Sequence, residues 1–118
     1  MSRHDPIIAI RQMGEAAREA MDLAVGNSRG DLDSNRLLSL ALVRLLEVLG
    51  EAATRVPIEF RQLHPAVPWA EVVGMRNRLI HGYDQVDHDI VWAVVTTDLP
   101  RLAPALEAIA KQPPREEP

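Results

Sequence analysis

Apolar residues recur three and four positions apart over most of the chain, a spacing that predicts helices. Asp5-Pro6 reads as an N-cap followed by proline at the first helical position. Ile7, Ile8, Ile10, Met13, Ala17, Ala20, Met21 and Leu23 then mark a first helix out to about Val25. Gly26-Asn27-Ser28-Arg29-Gly30 ends it as a turn. Asp31 to Asn35 offers caps for a second helix running to about Arg55. Its apolar positions, from Leu37 to Ala53, cover well over half the circumference and leave Arg44, Glu47, Glu51 and Thr54 as a polar stripe. A helix with so wide an apolar face is either central to the fold or buried on two sides, the second by another subunit. The expectation carried forward is a homodimer.

Pro57 to Pro68 holds three prolines and reads as a connector with a short helical turn around Ile58–Leu63. A third helix is expected from Pro68-Trp69 to Gly82, because glycine takes the left-handed conformation that ends helices. Asp87 can cap a fourth through Ile90, Val91, Val94 and Val95. Pro100 and Pro104 each remove a backbone donor, so a kink or two shorter helices should follow down to about Lys111. Residues 112–118 form a polar, proline-rich tail expected to be disordered. No stretch alternates with strand period and no segment repeats. The fold class is all-α, an antiparallel bundle of four to five helices in one domain over residues 1–111.

A chain of 118 residues suits one core and is too short for two. With 47% hydrophobic and 25% charged residues it has the balance of an ordinary globular protein. There is no cysteine, which excludes disulfides and thiolate metal sites. The N-terminus is polar, and no apolar run approaches the roughly 20 residues that span a bilayer. A cytoplasmic protein without membrane association is expected. The net charge of −4 argues against broad, non-specific nucleic-acid binding, though it leaves room for a small basic cleft. Phe60, Trp69, Tyr83 and Trp92 are too few aromatics for a base-stacking platform.

Candidate chemistry concentrates in Met75-Arg76-Asn77-Arg78-Leu79-Ile80-His81-Gly82-Tyr83. Asn77 and His81 are four apart and would share a helix face. Arg76 and His81 converge only if the helix ends there or the arginine bends back. No metal is expected: His81 and His88 are seven apart across a loop, His64 and His4 are isolated, and no HExxH pattern occurs. No glycine-rich phosphate loop and no nucleophilic-serine elbow is present. Two readings of the cluster remain open. In the structural one Asn77 caps a neighbouring helix, Arg76 pairs with Glu47 or Glu51, and His81 sits on a helix C-terminus. In the chemical one His81 exchanges protons during phosphodiester cleavage and Arg76 steadies the transition-state charge. One such pair is half a site, and two-fold symmetry would supply the other half.

Arg76, four intervening residues, His81-Gly82-Tyr83 resembles the Arg-x4-His-x-Tyr signature of the HEPN superfamily, in its HepT-like toxin branch. Arg44 to Ala53, the Phe60, His64-Pro65 and Pro68-Trp69 connector, Gly74 to Asn77, and Val86-Asp87 through Asp98-Leu99-Pro100 resemble that branch too. The similarity spans roughly Asp5 to Lys111. The resemblance implies a helical homodimer with two motifs in a shared cleft, acting as a metal-independent endoribonuclease toxin that needs no cofactor. It implies His81 as acid/base, Arg76 as transition-state contact and Asn77 as the residue orienting them. It also implies RNA as substrate and a minimal nucleotidyltransferase antitoxin as partner, which silences the toxin by AMPylation of Tyr83. Added bulk and negative charge there would repel RNA. A competing reading is a non-catalytic module of the same fold that binds a nucleotide or serves as a platform for the nucleotidyltransferase.

Overall fold

Asp5 acts as its place before Pro6 predicts. Its carboxylate accepts the Ile7 N–H at 2.9 Å and opens α1, Pro6–Ala24. The computed structural model describes residues 5–82 and 85–112. Ile10, Met13, Ala17 and Ala20 follow at spacings of three and four and are fully buried. A four-residue helix, α2 (Asp31–Ser34), drives Leu32 into the core. Asn35 then caps α3, Arg36–Thr54, accepting the Leu38 N–H at 3.1 Å. The predicted second helix is therefore a short one and a long one, joined by Asn35 in extended conformation.

The bundle is built on α1, α3 and α8 (Leu99–Ala110), with α1 packed between the other two. Leu42, Leu46 and Leu49 of α3 and Leu99 and Leu106 of α8 are fully buried against α1. No polar or charged residue is buried among the described residues, so every candidate for chemistry lies at the surface. The all-α expectation holds, with two local departures.

The first departure lies in the connector and third helix. The connector helix α4 covers Ile58–Leu63, as the prolines and apolar spacing suggested. Phe60 is buried, the Trp69 indole N–H is shared between the Arg61 and His64 carbonyls at 3.1 and 3.0 Å, and Arg61 Nε donates to the Val56 carbonyl at 2.9 Å. These bonds set where the next segment starts. That segment is not one helix to Gly82. It breaks at Gly74 into α5 (Trp69–Val73) and α6 (Met75–Leu79), and Ile80–His81 then leave as a strand, β1. β1 pairs antiparallel with β2, Gln85–Val86, with Ile80 opposite Val86 and His81 opposite Gln85. Gly82, at φ +61, takes the left-handed conformation in the hairpin rather than at a helix end. The Asp87 N–H closes the reversal on the Leu79 carbonyl at 2.7 Å.

The second departure precedes Pro100. Asp87 caps α7, His88–Ala93, through the Ile90 N–H as expected. Val94–Asp98 then form a π-helical turn in which the Leu99 N–H reaches back five residues to the Val94 carbonyl. Pro100 has no N–H for the Thr96 carbonyl, and the wider turn is how the chain accommodates that loss. α8 then continues through Pro104 to Ala110 as one helix.

Gly50 fixes how closely the motif-bearing segment approaches α3. A Cβ there would lie 3.0 Å from the Val72 carbonyl oxygen and 3.2 Å from Met75 Cβ. Gly50→Val is expected to destabilise the protein by about 1–3 kcal/mol through overpacking. At Gly14 a Cβ would meet Leu106 Cβ at an ordinary 3.8 Å. Gly14→Ala should therefore be neutral or stabilising, by up to about 1 kcal/mol from helix propensity. Urea denaturation of both variants measures the contrast.

Candidate active site

α6 is five residues long, and Met75 and Leu79, four apart, are both buried. Those two anchors turn Arg76 and Asn77 outward, where both are exposed. His81 follows on β1 and is exposed as well. Among the described residues none of these three side chains makes a hydrogen bond or ion pair, so their polar groups face solvent free to engage a ligand. The structure thus collects Arg76, Asn77 and His81 within one short helix–strand junction. The helix does end near His81, the condition under which Arg76 and His81 can converge. It ends earlier than expected, however, and Asn77 and His81 do not share a helix face, because Ile80 is already extended at φ −99, ψ 129. Tyr83 lies outside the described residues, as does the tail beyond Gln112.

Two parts of the structural alternative are absent among the described residues, the Asn77 cap and the Arg76 ion pair, while His81 does lie just past the end of α6. Arg44, not Arg76, pairs with Glu51, at 3.4 Å on the exposed face of α3. Both partners are more than half exposed, so that pair contributes little to stability. Glu47 has no ion-pair partner among the described residues.

Two bracing contacts around the site were not legible from spacing. Arg78, on the flank of α6 between Arg76 and His81 in sequence, donates from Nη2 to Asp98 Oδ2 at 3.2 Å. Asp98 is the last residue of the π-helical turn, so that irregularity places a carboxylate against the motif helix. On the other side His88 Nδ1 meets Asp33 Oδ1 at 2.8 Å and its Nε2 meets Ser39 Oγ at 3.3 Å. The hydrogen bond with His88, and then that from Arg29, holds the Asp33 carboxyl below the ordinary carboxylate range.

No group of three or more His, Asp or Glu side chains gathers as a metal site among the described residues. No helix among them is long and apolar enough to cross a membrane.

The family described as Ribonuclease HepT-like matches residues 13–109. A "Putative RNase" of Methanocaldococcus jannaschii is 31% identical over 109 residues, covering 92% of this chain and all of the relative. A "Putative RNase" of Caldanaerobacter subterraneus subsp. tengcongensis is 39% identical over 87 residues, 74% of this chain and 78% of its own. A "Probable ribonuclease HepT" of Thermococcus cleftensis is 38% identical over 81 residues, 69% and 74% of the two chains. No solved structure matches the chain.

Proposed function

The chain belongs to the HepT-like ribonuclease family, and from that membership we propose that it is a metal-independent endoribonuclease working as a homodimer. The observation that carries the reading is the set of Arg76, Asn77 and His81, exposed and unspent on a junction that is otherwise tightly anchored. Cleavage of RNA without a metal transfers the phosphorus from the 5′-oxygen to the neighbouring 2′-oxygen. One group must take the 2′-hydroxyl proton and another must return a proton to the departing 5′-oxygen. An imidazole suits either task near neutral pH. His81 of one copy takes the first role and His81 of a second copy the other. The guanidinium of Arg76 holds the non-bridging oxygens as charge builds on them, with permanent charge and fork geometry. Asn77 orients the pair.

The dimer draws support from α3. Leu38, Leu42, Leu46 and Leu49 face the core, yet Leu37 is 79% and Leu40 49% exposed on the other side. These two leucines form an exposed apolar pair at the N-terminal end of the stripe that Arg44, Glu47 and Glu51 continue, and a second copy is the occupant that suits them. A second copy covering them brings its own Arg76–His81 junction into one cleft.

Control of the activity falls to a minimal nucleotidyltransferase antitoxin that AMPylates Tyr83, two residues beyond His81. Protein co-expressed with a nucleotidyltransferase encoded beside it should gain mass in whole AMP units, mapped by peptide mass spectrometry to Tyr83. It should then cut RNA far more slowly than protein made alone. An unmodified Tyr83 in co-expressed protein that is nonetheless silenced would point to inhibition by complex formation. The net charge of −4 favours the competing reading of a nucleotide-binding or partner module. The direct test is RNA cleavage by the purified, partner-free protein, which that module would not perform.

A further inference from the structure

Charged and titratable side chains close into a ring where α7 begins. The Arg29 guanidinium, on the turn after α1, reaches Asp33 of α2 at 3.0 Å and Asp89 of α7 at 2.5 Å. The second Asp33 oxygen meets His88 Nδ1, and His88 Nε2 meets the Ser39 hydroxyl on α3. His88 and Asp89 are consecutive, so the backbone completes the ring. The bonds to Asp89, Asp33 and Ser39 span 60, 55 and 49 positions of sequence, which makes them tertiary ties rather than helix caps.

We propose that His88 is a positioning residue for His81: by tying the start of α7 to α2 and α3, its ring fixes the returning arm of the hairpin that carries His81. This rests on the ribonuclease reading of His81. The outgoing arm is held by Met75 and Leu79 in the core. The returning arm has the two-residue strand β2, with Val86 partly buried against the core, and the Asp87 N–H bond to Leu79 before His88 is reached. Without the His88 ties, the start of α7 would rest on the Asp87 cap and the exposed Arg29–Asp89 pair ahead of buried Val91. A displacement of about 1 Å in a reacting group is enough to cost roughly 10²-fold in rate. The tie serves in either charge state of the ring. Neutral imidazole with its proton on Nδ1 donates to Asp33 and accepts the Ser39 hydroxyl; imidazolium donates to both.

The same three residue types serve serine hydrolases, but this geometry does not favour that use. Asp33 is 63% exposed and shared with Arg29. Neither the cavity of about 430 Å³ beside α1 and α8 nor that of about 270 Å³ between α5 and α8 is lined by Ser39, His88 or Asp33.

The test pairs hydrogen exchange with cleavage kinetics on the full chain, using His88→Ala and His88→Asn. Asparagine keeps a donor near the Nδ1 position. In His88→Ala the Asp87 amide should exchange at least about tenfold faster while buried amides of α1 and α3 keep their wild-type rates. Its kcat should fall by about tenfold or more with KM nearly unchanged, and His88→Asn should recover most of both. Wild-type exchange at Asp87 with wild-type kcat in His88→Ala overturns the proposal. So does a loss shared equally by the α1 and α3 amides, which would make the ring a general stabiliser. Absence of cleavage by the wild-type chain removes the ribonuclease reading instead, so the two failures are distinct.

Discussion

His81→Ala is expected to lower RNA cleavage by the partner-free protein by about 10²–10⁴-fold, the range in which a positioned acid or base contributes. His81 is exposed and lies outside the core, so its loss should leave the unfolding free energy within about 0.5 kcal/mol of wild type. Arg76→Ala should lose comparable activity for a different reason, the loss of transition-state charge stabilisation, and Arg76→Lys should recover only part of it because an ammonium lacks the fork. Single-turnover cleavage of a labelled RNA at matched protein concentration measures all three. Near-wild-type cleavage by folded His81→Ala would remove His81 from the chemistry, and with it the reading of the junction as an active site.

The second large effect is expected on α3. Leu37→Glu with Leu40→Glu should turn the protein into a monomer at micromolar concentration and bring cleavage down to the level of His81→Ala. The residues are exposed within one copy, so each glutamate is solvated in the monomer and the fold should persist. In the dimer the same carboxylates would be desolvated without partners, which costs more than the interface can offset. Sedimentation and cleavage rate on one preparation provide the check. A variant that stays dimeric, or a monomer that cuts at the wild-type rate, would separate the leucine face from catalysis. Mixing wild-type protein with excess His81→Ala protein adds a sharper arm. The cleft draws on His81 of both copies, so mixed dimers should be inactive and cleavage should fall below the wild-type share of the mixture.

What was legible in the sequence is what local chemistry dictates. Asp5, Asn35 and Asp87 cap helices because a side-chain oxygen two or three residues ahead of a free N–H needs no tertiary partner. The α4 boundaries followed from Pro57 and the apolar spacing for the same reason. The end of α6 was not legible. Two residues, Ile80 and His81, are too few to display strand alternation, and their choice of strand depends on Gln85–Val86 and on Asp87 returning to Leu79. Arg76, Asn77 and His81 could be named as candidates because their types are unusual together. Their bracing could not, since Arg78–Asp98 and His88–Asp33 join elements whose adjacency only the folded core creates. The π-helical turn sits between these cases. Pro100 announces a disruption, but the widened turn is chosen by packing of Val94, Val95 and Leu99 in the core.

The brevity of α6 has a consequence in time. Five residues closed by two buried side chains cannot hold helical shape alone, since an isolated helix needs about 12–15 residues to persist in water. The junction takes form only when α3, α5 and α7 pack around it and the π-helical turn, itself held by α8, brings Asp98 to Arg78. On the ribosome, a nascent chain that has passed His81 but not yet delivered Leu99, Leu102 and Leu106 has the motif in sequence and not in shape. On the ribonuclease reading proposed above, the site would be inert beside the messenger being read, and competent only after the last helix has left the exit tunnel.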